Sequence, residues 1–188
     1  MNLVIFGPPG AGKGTQSKFI VEKFNMYQLS TGEFLRKEMF KKTSIGKKIS
    51  SVINSGELVS DQIVSDLIEE IIADHQYKNR IIFDGYPRNL NQANNLEKLL
   101  KKHNQKIDLV LKLNVTLDTI KKRISERKTQ EQRSDDSQEI AVKRYETYEK
   151  STEPVIEYYK KLKLLKVVDG ERPIDQINNE ISDIISLI

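Results

Sequence analysis

Residues 7–15 read Gly7-Pro8-Pro9-Gly10-Ala11-Gly12-Lys13-Gly14-Thr15, and they directly follow the apolar run Leu3-Val4-Ile5-Phe6. Three glycines before a lysine allow the backbone to turn several N–H groups toward one anion. Apolar side chains recur at helical spacing after Thr15, so a helix N-terminus adds positive potential at the same place. A purely structural glycine-rich turn is the alternative, but the strand–loop–helix context favours a phosphate-binding loop.

One position departs from the general form of this loop. A Ser or Thr normally follows the lysine directly, where its hydroxyl contacts Mg²⁺. Here Gly14 takes that position and Thr15 comes next. This argues against a typical GTPase or motor ATPase, and it predicts an Mg²⁺ ion held mostly by phosphate oxygens and water.

Composition excludes several classes of protein. The 188 residues are 31% charged and 37% hydrophobic, which predicts one soluble, cytoplasmic globular domain over 1–188. No apolar run approaches the ~20 residues of a membrane span, and the first strand starts too early for a signal peptide. The chain has no cysteine, so disulfides and thiolate zinc sites are excluded. The net charge of +4 is spread among acidic residues, which favours a solvated surface over a nucleic-acid interface.

Strand-like and helix-like segments alternate along the chain, which predicts an α/β fold with a five-stranded parallel sheet and helices on both faces. The predicted strands are 3–6, 26–29, 81–83, 107–113 and 164–168. The predicted helices are 13–24, 32–42, 45–54, 61–75, 90–103, 117–127, 137–162 and 174–187. A small helical arm (30–59) and a short polar loop (128–136) are poor in core residues, so we expect both to be able to move.

Two polar segments follow predicted strands, where parallel sheets bind their ligands. Asp84 ends the third strand and begins Asp84-Gly85-Tyr86-Pro87-Arg88; an acid there can orient Mg²⁺ or its waters. Thr31 follows the second strand, with Arg36 about one helical turn further on. Gln92 lies four residues after Arg88, and its amide matches the N1/N6 edge of adenine. A tight turn and a helix cap would explain the first two segments without any ligand.

The arginines are few and therefore informative. There are 8 of them among 31 basic residues, and a planar guanidinium suits bidentate phosphate binding. Arg123 and Arg127 lie one helical turn apart and share a helix face, which a simple solvated basic face would also explain.

The chain resembles adenylate kinases of the short-lid kind from residue 2 to about 173. The most specific motif is Ile81-Ile82-Phe83-Asp84-Gly85-Tyr86-Pro87-Arg88 with Gln92. The resemblance implies an ATP site formed by Gly10, Ala11, Gly12, Lys13, Gly14, Thr15, Arg123, Arg127 and Arg172. It implies an AMP site formed by Thr31, Arg36, Glu57, Leu58, Val59, Gly85, Tyr86, Pro87, Arg88, Gln92, Arg133 and Arg144. Catalysis would fall to Lys13, Arg88, Arg123, Arg133 and Arg144, with Asp84 holding Mg²⁺ through water. Seven of the eight arginines match such positions, and Arg80 alone does not.

The predicted lid loop (127–137) is short. Only five residues, 128–132, separate Arg127 from Arg133, where many bacterial relatives carry a long insertion that often binds zinc. The resemblance therefore implies a monomer that converts ATP and AMP into two ADP, with Mg²⁺ and without zinc, nucleic-acid or membrane partners.

Three alternatives remain open from the sequence. A UMP/CMP kinase is the nearest, but its relatives usually have Ala at the position of Thr31 and Asn at that of Gln92. A non-catalytic guanine-nucleotide switch would need an Asn-Lys-x-Asp motif, which is absent. A basic nucleic-acid-binding domain has only the sequence pI near 9.0 in its favour.

Overall fold

A five-stranded parallel sheet forms the centre of the molecule, in the strand order β2-β3-β1-β4-β5. The computed structural model describes residues 1–55, 57–131 and 137–188. The strands are β1 (Leu3–Phe6), β2 (Tyr27–Ser30), β3 (Ile81–Asp84), β4 (Leu109–Asn114) and β5 (Leu165–Asp169). This confirms the predicted α/β fold class and places the phosphate loop after the central strand.

Helices cover both faces of the sheet. They are α1 (Lys13–Phe24), α2 (Thr31–Phe40), α3 (Ser44–Asn54), α4 (Asp61–Ala73), α5 (Leu90–Lys102), α6 (Leu117–Glu131), α7 (Gln138–Lys161) and α8 (Ile174–Ser186). A short 3₁₀ helix, His75–Tyr77, follows α4. Within the described ranges, no helix has both the length and the apolar character that crossing a bilayer requires.

Two hydrophobic cores lie on opposite sides of the sheet because successive strand residues point to opposite faces. Val4 and Phe6 pack with the arm, α4, α5 and α7. Leu3 and Ile5 pack with α1, α6 and α8. A strand covered on both sides has no solvent-facing position, which explains why β1 is an unbroken apolar run.

Helix α6 is longer than the sequence predicted. We expected a helix ending at Arg127 and a polar loop from 128 to 136, but α6 continues to Glu131. The loop prediction rested on polarity, whereas Lys, Gln and Glu are good helix formers. The first part of the predicted lid, 127–131, is therefore helical. Residues 132–136, with the candidate Arg133, lie outside the described residues, and the role of the lid stays a prediction.

The arm is built from α2 and α3, which pack closely at Gly46. A Cβ at this position would overlap the main-chain carbonyl of Glu38. That carbonyl also accepts hydrogen bonds from the backbone N–H of Thr43 at 3.3 Å and from its hydroxyl at 3.4 Å. The close approach of the two helices therefore requires glycine here.

We expect Gly46→Ala to lower the free energy of unfolding by about 1–3 kcal/mol, the usual range for overpacking. Helix propensity alone would raise it by about 1 kcal/mol, so the sign separates the two effects. Urea unfolding of the variant and of Ser51→Ala, an exposed position on the same helix, provides the comparison. A stabilised Gly46→Ala variant would contradict the close α2–α3 contact.

Candidate active site

Two adjoining pockets open at the carboxyl ends of the strands in the described part of the chain. The arm pocket is bounded by the arm, by the segment after β3 and by α7. The loop pocket is bounded by residues 9–16, by Asp84 and by residues of α6 and α8. Seven residues line both: Pro9, Lys13, Gly32, Arg36, Gly85, Arg88 and Arg144. Four of the seven are cationic, so two separate cavities share one positively charged wall.

The loop pocket is built on the glycine-rich turn. Gly10 and Gly12 have φ angles of 84° and 95°, in the left-handed region that favours glycine. Gly12 is the N-cap of α1 and offers no side-chain acceptor, so the first N–H groups of the helix have no side-chain cap. Uncapped N–H groups at a helix start suit an anion, so this geometry fits the predicted phosphate-binding loop, whose role stays a prediction.

Lys13 lies folded against the loop. Its Nζ donates to the carbonyl oxygens of Gly7 at 2.8 Å and Pro8 at 3.2 Å. The pKa of Lys13 is lowered to about 8, chiefly by burial; the carboxylate of Asp84 opposes this shift and the nearby guanidinium of Arg88 adds to it. The ammonium is therefore still charged at neutral pH and lies beside the pocket that presents the loop N–H groups.

Asp84 places one carboxylate in the loop pocket. It is 8% exposed, and its Oδ2 accepts a hydrogen bond from Gln28 Nε2 at 3.0 Å. A hard carboxylate oxygen beside a phosphate site is a donor that suits Mg²⁺. Among the described residues, no group of three His, Cys, Asp or Glu side chains is placed to hold a metal. Asp84 therefore fits an ion whose remaining ligands are phosphate oxygens and water.

The segment after β3 joins the two pockets at Gly85. Its φ is 81°, and a Cβ there would lie 2.8 Å from Thr31 Oγ1 and 3.0 Å from Arg88 Nη2. The carbonyl of Gly85 accepts from Thr31 Oγ1 at 3.0 Å and from Arg88 Nε at 2.7 Å. Gly85 thus allows both side chains to approach one point of the backbone.

Arg88 contributes its guanidinium to the positively charged wall that the two pockets share. Burial lowers its pKa to about 10, with Arg144 the next cause, so it remains charged at neutral pH. Its backbone is held as well, because Arg88 N donates to Gln92 Oε1 at 2.7 Å and its carbonyl accepts from Thr152 Oγ1 at 3.2 Å. The backbone of Arg88 is therefore held in place while its side chain lines both pockets.

Gln92 and Arg88 meet for a different reason than the sequence suggested. Their four-residue spacing was interpreted as one helical turn, but Arg88 precedes α5, which begins at Leu90 as predicted, with Asn89 as its N-cap. Asn89 caps the helix by accepting from the backbone N–H of Gln92, so Arg88 lies before its first turn. The hydrogen bond between the amide of Gln92 and the backbone of Arg88 joins them instead.

Tyr86 does not line either pocket among the described residues, although the resemblance placed it in the AMP site. It is 1% exposed and belongs to the core on the arm side of the sheet. Its hydroxyl donates to the backbone carbonyl of Gln92 at 3.1 Å, so Tyr86 helps to hold in place a residue that lines the arm pocket. Pro87, Leu58 and Val59 do line the arm pocket.

The remaining candidates surround the two cavities. Arg123 enters the loop pocket and donates to Gly170 O at 2.8 Å and to Ala11 O at 3.3 Å. Arg127 and Arg172 also line that pocket, so both α6 arginines lie at its edge, as expected of nucleotide-binding residues. Glu57 lines the arm pocket and pairs with Lys143 of α7 at 3.2 Å.

The family model described as adenylate kinase matches residues 5–164. The chain is 44% identical to an adenylate kinase of Pelagibacter ubique over 213 aligned positions, which cover 100% of both chains. It is 40% identical to an adenylate kinase of Caulobacter sp. strain K31 over 188 positions, again 100% of both. An adenylate kinase of Fusobacterium nucleatum is 38% identical over 207 positions, 98% of each chain.

This chain belongs to the adenylate kinase family. The resemblance noted in the sequence is thereby confirmed, and with it the transferase class. The Caulobacter adenylate kinase aligns over the same number of positions as this chain has residues. The alignment with the Pelagibacter adenylate kinase is longer than this chain, so that relative carries additional residues.

Some site residues of this adenylate kinase family member were missed in the sequence. Thr147, Tyr148 and Thr152 of α7 line the arm pocket together with Arg144. Their spacing from Arg144 is that of one helix face, so helical periodicity could have found them. Gln28 was missed too; a polar residue within a short apolar strand was its only signal. Arg80, the arginine left over, is placed elsewhere and donates to Asn25 Oδ1 at 3.4 Å.

The lowered pKa of Lys13 predicts a pH dependence of nucleotide binding. Below about pH 8 the free protein carries the lysine protonated; above it the proton must be regained when an anion binds. We expect the affinity for ADP, without Mg²⁺, to fall by up to about tenfold per pH unit above 8.

Calorimetric titrations of ADP between pH 7.5 and 9.5 measure this dependence directly. Lys13→Arg is the matched control, because a guanidinium stays protonated throughout this range. The pH dependence should disappear in that variant. An ADP affinity of the unmodified protein that is flat across the range would contradict the lowered pKa.

Proposed function

We propose that this protein catalyses reversible phosphoryl transfer from ATP to AMP, giving two ADP, and so balances cellular adenine nucleotides. The observation that carries the proposal is the shared wall of Lys13, Arg36, Arg88 and Arg144 between two pockets. A phosphoryl group passing between two nucleotides needs both in line, with positive charge at the point of transfer. The membership of the adenylate kinase family supports the same reaction.

The loop pocket is the proposed ATP site. Its backbone N–H groups and Lys13 would bind the β- and γ-phosphates, as in other phosphate-binding loops. Arg123, Arg127 and Arg172 would contact the rest of the nucleotide. Mg²⁺ would be held by phosphate oxygens and by Asp84 through water, and it would supply further charge neutralisation.

The arm pocket is the proposed AMP site. Arg36 and Arg88 would bind the phosphate, while the amide of Gln92 and the apolar Leu58, Val59 and Val64 would receive the base. Arg144 would reach the transferred group, and Arg133 is proposed for the same role from the resemblance alone. Closure of the arm and lid would exclude water and so prevent hydrolysis of ATP.

The protein itself performs little covalent chemistry in this mechanism. Its cations hold the acceptor oxygen and the γ-phosphoryl in line and neutralise the charge of the equatorial oxygens. We further propose that the enzyme acts on free nucleotides as a cytoplasmic monomer without zinc, as the resemblance implies.

A steady-state assay with MgATP and the acceptors AMP, CMP, UMP and GMP tests the proposal. We expect kcat/KM for AMP to exceed the others by at least about 100-fold, since a site that hydrogen-bonds its substrate rejects analogues strongly. A compound that joins two adenosines through five phosphates should inhibit competitively against both substrates. A preference for CMP or UMP would instead support the pyrimidine kinase alternative, which the named relatives do not favour.

A further inference from the structure

We propose that Asp61 is a positioning residue that fixes the orientation of the Gln92 amide and thereby selects a purine with an amino group at C6. This inference rests on the proposed function, because it concerns the base of the acceptor nucleotide. Asp61 is the first residue of α4 and lies beyond the predicted arm (30–59). It does not line either pocket, and nothing in the sequence singled it out.

The contacts of the Gln92 side chain carry the argument. Gln92 is 3% exposed and lines the arm pocket. Its Oε1 accepts from the backbone N–H of Arg88 at 2.7 Å. Its Nε2 donates to Asp61 Oδ1, also at 2.7 Å. Both ends of the amide are therefore held by partners on different segments of the chain.

These two partners permit only one orientation of the amide. A backbone N–H can only donate, so it requires the oxygen of the amide. An ionised carboxylate can only accept, so it requires the nitrogen. An amide rotated by 180° would place N–H against N–H and oxygen against oxygen, and both buried contacts would be lost. The charged acceptor also makes the Nε2 contact the stronger kind of hydrogen bond.

The orientation decides which base the amide can recognise. Beyond these two contacts, the amide retains one N–H and one lone pair for a ligand. Adenine presents an acceptor at N1 and a donor at N6, which match that pair. A 6-oxo purine presents a donor at N1 and an acceptor at O6, which is the reverse pattern. A locked amide therefore accepts the amino purine and rejects the oxo purine, whereas an amide that can rotate discriminates less.

Asp61 also connects the starts of two helices. Its carboxylate accepts from Asn89 Nδ2 at 3.0 and 3.3 Å, and Asn89 caps α5 by accepting from the backbone N–H of Gln92 at 2.8 Å. A test must therefore separate a positioning role from a merely structural one. The exocyclic amine of the acceptor provides the means, because a general loosening of the fold affects acceptors with and without it equally.

The experiment compares AMP with purine riboside 5′-monophosphate, which lacks the amine, and with inosine 5′-monophosphate. For each acceptor kcat/KM is measured in the unmodified protein, Asp61→Ala and Asp61→Asn. Asp66→Ala is the control, since Asp66 is an exposed carboxylate on the same helix. In Asp61→Ala we expect the preference for AMP over purine riboside 5′-monophosphate to fall about fivefold, the value of one hydrogen bond. The preference over the 6-oxo purine should fall as well.

Other readouts complete the test. The KM for ATP should stay within about twofold of the unmodified value, because Asp61 does not line the loop pocket. Asp61→Asn retains an oxygen that accepts from Nε2, so it should restore part of the AMP preference. An unchanged preference in Asp61→Ala, whatever its melting temperature, would overturn the proposal. If Asp61→Ala does not fold, Asp61→Leu, which is similar in size and offers no acceptor to Nε2, decides by the same ratio.

The two proposals fail in different ways. An unmodified protein that does not phosphorylate AMP would refute the proposed reaction. Calorimetric binding of AMP and of purine riboside 5′-monophosphate would still report the role of Asp61, since it measures the same preference without turnover. A binding preference that Asp61→Ala leaves unchanged counts against the positioning role even then.

Discussion

Replacing Lys13 with methionine is expected to lower the turnover number for ADP formation by about 10²–10³-fold. The side chain is half-buried, lines both pockets and is still charged at neutral pH. Methionine has a similar length and no charge, so the change removes the ammonium with little change in shape. Because the charge acts on the transferring group, the loss should fall mainly on kcat.

A coupled assay of ADP production measures this effect. Lys23→Met, at the exposed end of the same helix, is the matched control and should keep full activity. The melting temperature of Lys13→Met should not fall appreciably without nucleotide. Removing the ammonium also removes the free-energy cost of its desolvation, which offsets the loss of its hydrogen bonds. A variant that turns over at nearly the normal rate would rule out Lys13 as a catalytic group.

The second large effect is expected for Arg88→Met, which should lower kcat/KM for AMP by about 10²–10³-fold. Arg88 Nε donates to the carbonyl of Gly85 at 2.7 Å, and the half-buried side chain lines both pockets. Arg88→Lys keeps a charge but loses the planar fork, so it should recover only part of the activity. The KM for ATP should change less than the KM for AMP, since the arm pocket depends on this side chain more.

The same variant makes a second, independent prediction about Lys13. The guanidinium of Arg88 lowers the pKa of that lysine, so Arg88→Met should raise it above about 8. Lysine side-chain NMR titration of the ligand-free protein measures the shift. Arg80→Met serves as the control, because Arg80 contacts Asn25 and lines neither pocket. Equal effects of the two arginine substitutions on activity would contradict the shared wall.

Local patterns in the chain predicted most of the fold. The loop after β1, the alternation of apolar strands with helices, and the segment after β3 depend on residues close in sequence. An error occurred where pattern and propensity conflict: helix α6 continues past Arg127 because its polar residues are good helix formers. Helix α5 starts at Leu90, as predicted, with Asn89 as its cap.

The site residues also differ in whether local patterns in the chain could identify them. The residue types of the phosphate loop, Thr31, Arg36 and Arg88 were identifiable because each lies in a compact motif. Gln28 and Asp61 were not, because each acts on a residue distant in the chain. Gln28 binds Asp84 of a neighbouring strand, and Asp61 binds Gln92 on a different helix. No spacing rule along the chain reports such contacts.

The amino-acid sequence alone was enough to predict a phosphate-binding loop between β1 and α1, because backbone conformation and a helix N-terminus are local properties. Only the tertiary structure decided that four cations from four separate segments form one wall between two pockets. Like charges repel, so their convergence depends on the packing of the arm, the sheet and α7 around them. The position of that wall is therefore a property of the whole fold.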